Sequence, residues 1–131
     1  VLPPGPEQLF EDALRLFYRT EGRHRAEGGN WDPLTAVEKE NMAQVIEMWT
    51  NAANQGHILA QYHIGNIYHT GRGVTQDHKK GMNWYRKAAD QGSVQAEYSL
   101  GHMYDKGKGV AQDCDEAARW YHEAADQGLA E

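Results

Sequence analysis

Apolar residues recur along this chain at intervals of three and four, the spacing of one face of an α-helix. Ala60, Ile64, Ile67 and Tyr68 fall on such a stripe and predict a helix over 58–70. The stretch Gly71-Arg72-Gly73-Val74 ends it, because glycine accepts the positive φ that a sharp reversal between antiparallel helices demands. Asp77 is placed to cap the next helix by accepting from a free first-turn amide. Met82, Tyr85, Ala88 and Ala89 form the apolar stripe of that second helix, and Gly92 is its C-terminal stop. Further along, Asp113 followed by Glu116 comes close to a capping box. Upstream, Met42, Val45, Ile46, Trp49 and Ala52 keep helical spacing, in a helix that starts either at Asp32-Pro33 or at Thr35-x-x-Glu38. Phe10, Leu14 and Phe17, widened by Leu9, Ala13 and Leu16, predict its partner over 7–20, with a polar, glycine-rich connection at 20–31 between the two.

The pattern is periodic on a larger scale. A shift of 36 residues lays 57–92 over 93–128 with 16 identical positions. These include Ala60/Ala96, Tyr62/Tyr98, Gly65/Gly101, Tyr68/Tyr104, Gly71/Gly107, Gly73/Gly109, Trp84/Trp120 and Tyr85/Tyr121, and both units close on AADQG. A fixed period of this size marks an array whose units bury their apolar faces against one another. Gly65 and Gly101 sit inside helices, where glycine costs about 0.5–1 kcal/mol relative to alanine; its recurrence predicts a packing requirement. WTNAANQG at 49–56 repeats the unit's ending, so three helix pairs are expected. The chain divides into a proline-rich extended lead-in (1–6), a divergent first pair with a long loop (7–56), two regular units (57–92 and 93–128) and a remnant, 129–131. That remnant starts what would be a further first helix, and no polar cap follows it, so the last apolar face is left for a partner or for further chain to cover.

The sequence A-x-Y-x-[IL]-G-x-x-Y-x-x-G-x-G-V-x-x-D followed by W-Y-x-x-A-A-x-Q-G resembles the Sel-1-like repeat of the tetratricopeptide-like superfamily. The resemblance covers 57–128 fully, 41–56 in part and 7–40 by helical pattern alone. Tetratricopeptide units run 34 residues, whereas this unit has 36 and a glycine-rich turn. The resemblance implies an all-α fold, an α/α right-handed superhelix of three antiparallel helix pairs. It implies an adaptor or scaffold in multiprotein complexes, with other proteins as partners and no cofactor. Cysteine-rich relatives that bind or hydrolyse β-lactams carry a cysteine pair in each repeat; here those positions are alanines, such as Ala89 and Ala96. A carbohydrate or cell-envelope binder is the alternative reading.

Charge and chemistry narrow the function further. The net charge of −6 disfavours a phosphate backbone as main ligand. The start, VLPPGPEQLF, lacks a secretory signal's basic and apolar segments, and no apolar run approaches the roughly 20 residues of a membrane span, so the chain reads as soluble. Its single cysteine, Cys114, cannot make an intrachain disulfide. Of the seven histidines, His57, His63 and His69 are six apart, a spacing that turns each about 120° from the last on a helix. They read as surface groups, with no metal site. Serines are too few for a triad, and no phosphate-binding loop survives, because GRG and GKG belong to the repeated turn. The sequence therefore predicts no enzyme.

Candidate contacts remain. Arg19, Arg23 and Arg25 form a basic cluster in the connection of the first unit, suited to an acidic partner through the forked donors of arginine. Trp31 is a candidate exposed anchor, since aromatics dominate interface hot spots. The resemblance places the first helix of each pair on the concave, partner-binding side. On that basis Leu59, His63, Asn66 and Thr70, with their counterparts Gln95, Ser99, His102 and Lys106, are the candidate binding face. All four positions differ between two units whose framework repeats.

Overall fold

The computed structural model describes residues 3–26 and 36–129. Six helices run in order: α1 Pro6–Ala26, α2 Ala36–Asn54, α3 Ile58–Thr70, α4 His78–Asp90, α5 Val94–Lys106 and α6 Cys114–Ala124. A wider turn, Ala125–Leu129, follows α6. No strand occurs among the described residues. Extensive packing joins consecutive helices only, α1 to α2, α2 to α3 and so on along the chain. That is the arrangement of a solenoid, in which each unit is held by its sequence neighbours.

The ends of the repeated helices follow from side chains at fixed places. The Asp77 carboxylate accepts from Lys80 N and Asp113 from Glu116 N, each at 3.0 Å. Gly71 and Gly107 close α3 and α5 with φ of 73° and 69°, a conformation that penalises any residue with a Cβ. The Gln-Asp pair after each glycine turn ties the hairpin: Gln76 Nε2 donates to His69 O and Gln112 Nε2 to Asp105 O, both at 2.8 Å. The capping box expected at Asp113 forms only half. Glu116 Oε2 accepts from Arg119 Nη1 at 2.9 Å.

The first helix departs from expectation. The connection expected at 20–31 is helical as far as Ala26, so Arg19, Arg23 and Arg25 lie within α1 and not in a loop. Extending a formed helix adds one hydrogen bond per residue, and the lone Gly22 costs only about 1 kcal/mol. The helix also begins one residue early, at Pro6, where proline's missing N–H costs no bond. The second helix is described over Ala36–Asn54, and both starting points expected for it, Asp32-Pro33 and Thr35, lie outside the described residues.

Two apolar clusters fill the array. The first joins Phe10, Ala13 and Phe17 of α1 with Met42, Val45 and Trp49 of α2 and Ala60, Ile64 and Ile67 of α3. The second joins Met82, Tyr85 and Ala88 of α4 with Ala96, Leu100 and Met103 of α5. The repeated tryptophans pack on successive clusters, Trp84 on the first and Trp120 on the second. The interior glycines have the packing role expected of them, and the group that approaches is an aromatic ring. A Cβ on Gly65 would lie 2.8 Å from Tyr85 Cδ1, and one on Gly101 would lie 2.7 Å from Tyr121 Cδ1. Among the described residues no helix is long and apolar enough to cross a membrane.

Candidate binding groove

The first helices of the three pairs share a register. Ala13, Phe17 and Thr20 in α1 are buried at the spacing of Ala60, Ile64 and Ile67 in α3 and of Ala96, Leu100 and Met103 in α5. In this register Tyr18 corresponds to Gly65 and Gly101, and Arg19 to Asn66 and His102. The candidate residues of all three helices therefore occupy corresponding positions.

The structure distinguishes among those candidates. Leu59, Thr70, Gln95, His102, Lys106 and Arg19 are exposed, whereas His63, Asn66 and Ser99 are half-buried. His63 stacks on Trp49 at a centroid distance of 5.0 Å and lies 5.4 Å from Phe10. Asn66 Oδ1 accepts a short hydrogen bond from the Tyr85 hydroxyl. Burial, then Tyr62, raises that hydroxyl well above the ordinary tyrosine range, against the pull of a bond with Ser99. Tyr85 thus stands between α3 and α5. Trp31 lies outside the described residues, as do the side chains of Arg23 and Arg25.

A hollow of about 280 Å³ opens where α1, α2 and α3 meet, lined by Phe17, Tyr18, Trp49, His63, Asn66, Ile67 and Arg72. It unites His63 and Asn66 with Phe17, Trp49 and Ile67, expected only as packing positions, with Arg72 of the turn, and with Tyr18, which the sequence pattern did not single out. Tyr18 is 58% exposed at its rim. One signal was present: tyrosine stands in α1 where the regular units keep glycine. The hollow is aromatic and amphipathic, a surface able to hold an apolar or aromatic side chain with hydrogen-bonding groups beside it.

The histidines read as surface groups are packing elements instead. His57 caps α3: its Nδ1 accepts from Ala60 N at 3.1 Å, and Nε2 meets Glu7 Oε2 at 2.6 Å. With Nδ1 accepting, Nε2 carries the proton and donates, which ties α3 to the start of α1. Ser93 fills the same cap in the next unit, its Oγ accepting from Ala96 N at 3.2 Å. His69 meets His78 with their Nδ1 atoms 3.0 Å apart. Among the described residues no group of three or more metal-ligating side chains comes together.

A pH dependence follows. Burial, then the neighbouring His57, lowers the His63 pKa below its ordinary 6.5. Burial, then His78, Lys108 and His102, does the same for His69. Below pH 6.5 the unfolded chain therefore takes up protons that the folded chain refuses, and stability falls with pH through that window. Glu97 acts in the opposite sense. Burial raises its carboxyl above the ordinary 4.5, helped by Glu123 and opposed by a bond from Gln127, so its contribution is lost as pH rises. The melting temperature is expected to drop between pH 7 and pH 5, and His63→Phe, which keeps the ring stack, should flatten that drop. Parallel pH–Tm curves for the two proteins would show that His63 does not titrate in this way.

Helix pairs stacked so that each is held by its neighbours in sequence define a helical-repeat solenoid. The Sel1 repeat model matches residues 58–93 and 94–129, more than half of the chain. The chain belongs to the Sel1 repeat family, whose fold commonly serves protein–protein interaction and whose members are generally non-catalytic scaffolds. No curated protein matches it. Among solved structures it is similar to a Sel1 repeat protein from Oxalobacter formigenes, with TM-score 0.71 and 28% identity over 96% of this chain and 45% of that one. It is also similar to a protective antigen of uropathogenic Escherichia coli displaying an SLR fold, with TM-score 0.64 and 34% identity over 96% of this chain and 26% of that one. The chain thus spans less than half the length of either. Helicobacter pylori cysteine rich protein B shares the fold, with TM-score 0.62 and 16% identity over 95% of this chain and 94% of that one.

Proposed function

We propose that the chain is a non-catalytic adaptor, a small subunit or docking module of a larger assembly. It holds a segment of another protein along the face formed by α1, α3 and α5. One observation carries this reading. Framework residues repeat between units, while Leu59/Gln95, His63/Ser99, Asn66/His102 and Thr70/Lys106 all differ, and the variable face runs into the aromatic hollow at Tyr18. Conserved packing with divergent display is how a solenoid presents one specific surface. Arg19, exposed and next to Tyr18 in α1, favours a partner segment with an acidic residue near its apolar anchor.

The test is quantitative capture from the native source by wild-type and variant chains. Tyr18→Ala and Arg19→Glu are expected to weaken capture of one partner by about ten- to a hundredfold, the range of an interface hot spot. Lys79→Glu, on the exposed side of α4, should leave it unchanged. Equal capture by all four proteins would refute the groove as the binding face.

A further inference from the structure

The two regular units place the same tryptophan at the same point of their second helices, but differ in what stands over it. In α4, Lys87 Nζ sits 4.4 Å from the centroid of the Trp84 ring. One unit later Trp120 replaces Trp84, and Glu123 occupies the place of Lys87. Among the described residues no cation covers the Trp120 ring.

The difference continues deeper. Gln61 in α3 donates from Nε2 to Ala53 O at 3.1 Å, and Gln91 Nε2 donates to its Oε1 at 2.8 Å. The counterpart of Gln61 is Glu97. Its Oε1 accepts from Gln127 Nε2 at 2.5 Å, as the repeat requires. Its Oε2 stands where Gln61 carries a donor, and a carboxylate has no proton to give. Glu97 is 2% exposed and Oε2 has no hydrogen-bond partner. Trp120 Nε1 is likewise buried without a partner. Both residues line a cleft of about 560 Å³ between the end of α4, the start of α5 and α6, with Asp90, Glu123 and Asp126 also on its wall. Of the two basic side chains there, Arg119 is held by Glu116 at 2.9 Å, and His122 is exposed.

We propose that this cleft is a binding site for an alkylammonium or guanidinium group, a lysine or arginine side chain of a partner protein, seated on the Trp120 ring and directed at Glu123 and Glu97. The chain itself supplies such a cation one unit earlier, through Lys87 on Trp84. A cation over tryptophan gains strength when water is excluded, and a buried carboxylate is matched best by a charged donor. The carbonyl next to a basic side chain in a peptide provides the acceptor that Trp120 Nε1 lacks. The cleft shares no residue with the groove of α1, α3 and α5, so this site stands or falls independently of the adaptor reading.

The test titrates the full chain with acetyl-Ala-Arg-Ala-amide and with the uncharged citrulline analogue, following the Trp120 indole N–H by nitrogen-15 NMR. The arginine peptide is expected to shift that resonance saturably, at least about tenfold more tightly than the analogue. Glu123→Lys, which installs the internal cation of the preceding unit, should abolish the shift. Glu47→Lys makes the same charge change on exposed α2 and should keep the affinity within about twofold. Equal losses in the two variants would mean general charge attraction and overturn the site. A shift that grows with protein concentration alone would place a second copy in the cleft and overturn a separate partner. Should Glu123→Lys fail to fold, Glu97→Gln carries the test, because it restores the arrangement of Gln61; undiminished binding by that variant refutes the proposal.

Discussion

Trp49→Ala is expected to lower the unfolding free energy by about 3–5 kcal/mol, the cost of truncating a large buried aromatic. The indole is fully buried. It lies 6.2 Å from the Phe10 ring, 5.3 Å from Phe17 and 5.0 Å from His63, so it joins α1, α2 and α3 at one point. Its Nε1 also donates to Phe10 O at 3.3 Å. Alanine leaves a cavity between elements that cannot all close on it. Because extensive contacts join only consecutive helices, the damage should stay local. Hydrogen exchange is expected to show α1 and α2 opening first, with α4–α6 keeping most of their protection. Uniform loss along the chain, or a change below about 1 kcal/mol by chemical denaturation, would contradict the account of Trp49 as the junction of the first unit.

The second large effect concerns Gly65. Gly65→Val puts a branched Cβ where Tyr85 Cδ1 and Cε1 lie 2.8 and 2.9 Å away, with Gly81 O at 3.2 Å. Tyr85 is almost fully buried and its hydroxyl is held by Asn66, so the ring has nowhere to swing. Overpacking of this kind costs about 1–3 kcal/mol, and here the upper end is expected. Gly101→Val is the internal control. Its Cβ would come as close, 2.7 Å from Tyr121, but that ring is only partly buried and rests against the exposed Tyr98 at 5.3 Å, so it yields at lower cost. Denaturation of both variants should find Gly65→Val the more damaging by at least about 1 kcal/mol. The reverse order would mean that ring mobility does not decide the cost.

Much of the fold was legible in the chain, and some particular residues show why. The helix over 58–70 ends at Gly71, and Asp77 caps the next, because capping and positive φ are decided within a few residues. The Gln of AADQG was visible as a repeat but carried no role until Gln91 was seen to reach Gln61, 30 positions away. The candidate face was legible as a register. That His63 lies under Phe10 and Trp49 was not, since helical spacing gives the direction of a side chain and not what another helix sets against it. Arg19, Arg23 and Arg25 were misplaced for a different reason: the polar composition of 20–31 reads as a loop, while helix propagation tolerates polar residues and one glycine.

By itself, then, the sequence determined the helices, their 36-residue period and the membership that the period carries, because a spacing of 3.6 and a glycine turn are local properties of the backbone. Only the tertiary structure decided that Trp84 packs on the cluster of α1, α2 and α3 and Trp120 on that of α4 and α5, that Tyr18 rims a hollow, and that Glu97 lies buried with one oxygen unmatched. Those facts depend on which faces of separate helices meet. Units alike in 16 positions can therefore differ in the polar atoms left for a partner, as Gln61 and Glu97 do.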